Sequence, residues 1–100
     1  MKLGILVNTD KYREDVIGIT NAALSEGHAV SIFVMDEGTK LLEELSFVKL
    51  SELEGLNMSY CNYNAEGLGV GKELIPDRLI CGSQYENSIM FHESDKVIVL

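Results

Sequence analysis

The chain has 100 residues, of which 46% are hydrophobic, enough for one domain spanning residues 1–100 to close a core without disulfide staples. Sixteen acidic against eight basic residues give a formal charge of −8, which argues against direct binding to nucleic acid or anionic lipid and fits an acidic surface or a basic protein partner. No apolar run approaches the ~18 residues that span a bilayer and no secretion signal is visible, so a cytoplasmic protein with free Cys61 and Cys81 is expected, although spacing alone leaves a bridge between them open.

The run Leu3-Gly4-Ile5-Leu6-Val7 is nearly continuous apolar, as in a strand buried on both faces of a parallel sheet. Asn8-Thr9-Asp10 offers turn and N-cap chemistry, and Tyr12, Val16, Ile19 and Ala23 recur at helical spacing before a stop at Gly27. Val30 to Met35 reads as the second strand, and a helix near Thr39 would use Leu41, Leu42 and Leu45 as its apolar stripe. Ser46 to Gly55 suits a short helix or an irregular cover, with the helix preferred. Asn57 to Tyr60 is the third strand and leads into Cys61.

Gly67 to Pro76 is a loop and Arg78 to Cys81 a fourth strand. Ser83, with Glu86 three residues later, forms a capping box that opens a helix to about Phe91. Lys96 to Leu100 closes the chain as another buried strand. Alternating strands and helices with short links predict a three-layer α/β/α sandwich around a mainly parallel sheet of about five strands.

Cys61 is the leading candidate for chemistry. A thiol at the carboxyl end of a strand, before a short helix, lies on the edge where α/β sheets bind ligands, and unpaired helix N–H groups there favour the thiolate. The competing reading is a buried small hydrophobe, a common fate of free cysteine. Cys81 ends the fourth strand; it is expected to be the more buried thiol, and Cys61 the faster to alkylate.

Other motifs carry less. Gly67-Leu68-Gly69-Val70-Gly71-Lys72 is glycine-rich, but Glu66 stands where a phosphate loop needs glycine and Glu73 where it needs Ser or Thr. No cofactor is expected. No metal site is expected either, because Cys61, Cys81, His28 and His92 lack zinc-ligand spacing. His28 reads as a turn residue and His92 as a helix-terminal one. No G-x-S-x-G elbow supports a hydrolase.

From Tyr60 through Cys61 to Gly69-Val70, a cysteine is followed by a small residue and then a Gly-Val pair; Cys81-Gly82-Ser83, a helix and Asp95 to Val99 come after. Together with the Lys2 to Val7 strand, the Glu26-Gly27-His28 turn and Val30 to Met35, this order resembles the DsrE/DsrF-like sulfur-relay family over essentially the whole chain. The resemblance implies a DsrE-like fold and a sulfur carrier whose Cys61 accepts sulfane sulfur as a persulfide from a donor protein and passes it to an acceptor. It also implies a homo-oligomer or mixed complex. On this reading the amides of Asn62 to Asn64 stabilise the thiolate, while Gly67 and Gly69, in the Gly67 to Gly71 loop, gate access. Two departures stand out. Asn64 occupies the place of a second cysteine found in some members, and Gly67 and Leu68, beside Glu66, replace basic residues. A non-catalytic oligomeric subunit and a small-ligand binder using the Asn8-Thr9-Asp10 turn are the alternatives.

Overall fold

The computed structural model describes residues 1–100 and contains one five-stranded sheet. The strands are β1 (Lys2–Val7), β2 (Ala29–Val34), β3 (Leu56–Cys61), β4 (Ile80–Gly82) and β5 (Lys96–Val99). They lie in the order β4-β3-β2-β1-β5, and every neighbouring pair is parallel. The α-helices are α1 (Arg13–Ser25), α2 (Leu45–Val48), α3 (Asn62–Gly67) and α4 (Gln84–Glu93).

The order of the strands dictates which face each helix covers. The connections β1 to β2, β2 to β3 and β3 to β4 all step the same way along the sheet, whereas β4 to β5 returns across it. Right-handed crossovers stepping in opposite directions must lie on opposite faces. Accordingly α1, α2 and α3 contribute Val16, Phe47, Val48 and Ala65 to one cluster of 18 buried residues. Only α4 packs on the other face, where Phe33, Cys61 and Met90 form a cluster of three.

Period-two alternation sorts the strand side chains between these faces. Leu3, Ile5 and Val7 of β1, Val30, Ile32 and Val34 of β2, and Leu56, Met58 and Tyr60 of β3 all belong to the larger cluster. Gly4, Leu6, Phe33 and Cys61 have the opposite parity. Gly4 lies under α4, where an added Cβ would come within 2.7 Å of Ser94 Oγ and 3.2 Å of Met90 Cγ, so its missing side chain lets the helix approach.

Several local expectations are refined. α1 starts from Tyr12, which makes no side-chain cap hydrogen bond, so Asn8-Thr9-Asp10 forms the preceding turn but does not cap the helix. Between β2 and β3 the chain takes a 3-10 helix over Asp36–Glu43, then α2, then a second 3-10 turn over Lys49–Glu52, in place of two ordinary helices. Leu41, Leu42 and Leu50 are buried as their apolar character requires, but Leu45 is exposed. Gly38 lets this segment pack against the end of β1, because an added Cβ would fall 2.4 Å from the Val7 carbonyl oxygen. The Ser83 capping box forms as read, with the Ser83 side chain accepting from Tyr85 N–H and Glu86 accepting from Ser83 N–H. No helix is long and apolar enough to cross a membrane.

Candidate functional site

β3 delivers Cys61 to the carboxyl edge of the sheet, and its backbone is the N-cap of α3. Its place in the fold matches expectation; its environment does not. The thiol is 3% exposed and lies in a buried cluster with Phe33 and Met90, against which Leu6, Met35 and Val97 pack. Parity is the cause: Tyr60 must face the thick side, so its neighbour Cys61 must face α4. The Cys61 side chain caps no helical N–H, which removes the expected support from the amides of Asn62 to Asn64.

The residues expected to serve the thiol build a different structure. Asn62 accepts a hydrogen bond from Lys72 Nζ, which also lies 3.5 Å from Glu66. Asn64 Oδ1 accepts the Asp36 N–H at 3.0 Å and so braces Asp36, a non-glycine residue held at φ 47°. Gly69, at φ 68°, ends α3 in a Schellman turn, with Gly69 N–H donating to the Glu66 carbonyl and Val70 N–H to that of Ala65. Val70 then enters the larger cluster, on the side of the sheet away from Cys61. The Gly67 to Gly71 loop therefore does not cover the thiol. It borders an open crevice of about 670 Å3 lined by Asn8, Asp36, Tyr63, Asn64, Glu66 and Gly67, among others.

A second depression, of about 340 Å3, runs between α4 and the bare faces of β3 and β4. Ser31, Asn57, Ser59 and Ile80 of the sheet and Ile89 and Met90 of α4 are among the residues that line it. Met90 thus belongs both to this groove and to the packing over Cys61.

Cys81 reverses the expectation: it is exposed, while Cys61 is buried. In the parallel register Tyr60 pairs with Cys81, and Cys61 with Gly82. Cys81 therefore shares a face with Tyr60 and points away from Cys61; both cysteines are free. Tyr60 is 3% exposed and its phenol is pushed up to about 12 by burial first, then by hydrogen bonding and charge from Cys81, and by Glu66. Sequence reasoning missed this pair, although the parity of Leu56, Met58 and Tyr60 carries the signal. β3 exits through α3 toward the thick side and β4 through α4 toward the thin side, so the chain leaves these neighbouring strands toward opposite faces. Both thiols lie at the carboxyl ends of this strand pair.

His28 Nδ1 lies 3.1 Å from the N-terminal amine, and His92 is in the last turn of α4, at the dipole's negative end. No three His, Cys, Asp or Glu side chains converge to hold a metal ion.

Neither protein-family models nor curated proteins match the sequence. Among solved structures the chain is similar to the crystal structure of the ychN protein from E. coli, with a TM-score of 0.68 at 12% identity over 99% of this chain and 97% of that one. At 12% identity the likeness shows the fold alone.

Proposed function

We propose that this chain is a small sulfur carrier that takes sulfane sulfur onto Cys61 as a persulfide and passes it to the thiol of a partner protein. The observation that carries the reading is the position of Cys61, at the carboxyl end of β3 and directly before α3. A thiolate there attacks the outer sulfur of a donor persulfide, whose S–S bond breaks so that the donor leaves as its own thiolate; an acceptor thiolate then takes that outer sulfur, and Cys61 departs as the thiolate it began. Burial under Met90 makes this a sheltered site: α4 is the gate, and donor and acceptor approach along the groove beside it. A helix held by so small a buried cluster belongs to the low-stability end of a fold, where local opening is easiest.

The exposed apolar residues of this side, Ile80, Tyr85, Ile89, Phe91 and Val99, support assembly into a homo-oligomer or a mixed complex. Sedimentation at micromolar concentration tests that assembly, and a strictly monomeric mass counts against it. The carrier reading is tested by intact mass after treatment with a persulfide donor. Cys81→Ser is expected to gain one sulfur atom and Cys61→Ser to gain none at residue 61. A second reading, a non-catalytic subunit with a packed thiol, rests on the 3% exposure of Cys61. It prevails if folded Cys81→Ser takes up no sulfur even when Met90→Ala opens the gate.

A further inference from the structure

The thin side of the sheet has room for a second helix. α4 packs mainly on β1 and β2, which leaves the same face of β3 and β4 without a helix over it. Neighbouring strands lie about 4.8 Å apart and a helix with its side chains is about 10 Å across, so one helix covers about two strands. The groove of about 340 Å3 beside α4 marks the vacant place.

Its lining describes what it would take. Ile80, Ile89 and Met90 offer apolar contact, and the first two are exposed. Ser31, Asn57 and Ser59 line it with polar groups, whereas their strand neighbours Val30, Ile32, Leu56 and Met58 are buried on the thick side. Polar groups there are solvated when the groove is empty, which suits an occupant that comes and goes; permanent interfaces are more apolar.

Charge identifies the occupant. Glu86 and Glu93 line the groove, and no Lys, Arg or His does. Seven residues apart on α4, they share one helix face about 10 Å from each other. Neither is held in an ion pair, and of the Glu86 carboxylate only Oε1 is engaged, by Ser83. A second copy of this chain would bring a formal charge of −8 and, in a two-fold contact, set these glutamates against their own counterparts.

We propose that the groove beside α4 is the docking site for a cationic amphipathic helix of a partner protein. Two Lys or Arg side chains about two turns apart meet Glu86 and Glu93, and apolar side chains between them rest on Ile80 and Ile89. Met90 lines this groove and shares the buried cluster of Cys61, so the helix docks beside the thiol. Naming the partner as sulfur donor or acceptor rests on the carrier reading; the docking itself does not.

Docking is therefore measured in folded Cys61→Ser, which takes up no sulfur at residue 61, so that an inactive thiol and an empty groove give different results. Two labelled synthetic helices are titrated by fluorescence anisotropy, one with Lys two turns apart and Leu between them on the same face, the other with Glu in place of Lys. The Lys helix is expected to bind and to shift the backbone NMR signals of β3, β4 and α4, and the Glu helix to stay free. Added Glu86→Gln/Glu93→Gln, which keeps the capping hydrogen bond, should weaken binding about tenfold at low salt. Asp15→Asn/Glu26→Gln removes the same charge from exposed positions at α1, on the other face, and should weaken it far less. Ile80→Ser, at an exposed position, should also weaken it severalfold. No binding of the Lys helix, equal loss in the two charge-neutralised variants, full affinity in Ile80→Ser, or signal shifts confined to other surfaces overturns the proposal. Groove signals that shift with protein concentration alone overturn it too, and assign the groove to a second copy.

Discussion

The two faces of the sheet are built to different standards. One is covered by α1, α2, α3 and the 3-10 segments over 18 buried residues, whereas the other has α4 alone over Phe33, Cys61 and Met90. The asymmetry follows from topology, because three crossovers step one way and one returns. It separates two tasks: the thick side holds the fold together, and the thin side, held by few contacts, can open without unfolding the rest. The buried thiol belongs to the thin side and the exposed thiol to the thick one.

The largest expected effect comes from breaking the thick side. Phe47 is fully buried there, and Phe47→Ala should lower global stability by about 3–5 kcal/mol in denaturant titration. Met90→Ala removes a comparable volume from the thin side, where the groove lets neighbours and solvent fill the space, so about 2 kcal/mol is expected. Alkylation of Cys61 in native protein should rise many-fold in Met90→Ala, with little change in Phe47→Ala beyond its global unfolding. Equal acceleration in both variants would erase the distinction between the faces.

Tyr60 sharpens the comparison through pH. Its phenol titrates higher in the folded chain than the ordinary value near 10, so folding favours the protonated form. That contribution is fully present below pH ~10 and is lost as pH rises through about 12. Stability of the parent should therefore fall more steeply than that of Tyr60→Phe across this window. Parallel curves would show that the phenol is as free folded as unfolded.

The smallest effect is a cap. Ser83→Ala removes the side-chain acceptor that opens α4 and should cost about 1 kcal/mol. Because the cap belongs to the thin side, hydrogen exchange should quicken in α4 before it quickens in β1 or β2. Uniform quickening would mean that α4 opens only with the whole molecule.

Much of this division was legible in the residues. The apolar runs at Leu3 to Val7 and Val30 to Val34 announce strands buried in a parallel sheet, and the Ser83 and Glu86 pair announces α4; the run at Lys96 to Val99 announces β5, but as an edge strand it is not buried, and Val99 is exposed. The winding between β2 and β3 was not legible. Leu41 and Leu42 suit any helical spacing, and the close approach of Gly38 to Val7 depends on how the segment lies against β1 in the folded chain. Placing Cys61 at a strand end was correct, but exposing it there was not. Whether a terminal side chain opens into a crevice depends on its parity and on which face the next helix covers. Parity was readable from Leu56, Met58 and Tyr60; the cover supplied by Met90, 29 positions along the chain, depends on the return of α4 across the sheet.

The most direct test of the account is the uptake of sulfur by Cys61 behind its gate. Folded Cys81→Ser and Cys81→Ser/Met90→Ala are exposed to the same persulfide donor, and intact mass is followed with time. The account predicts that both gain one sulfur atom at Cys61 and that the Met90→Ala protein gains it faster. Failure of both to load while folded would contradict it, and equal rates in the two would contradict the gate.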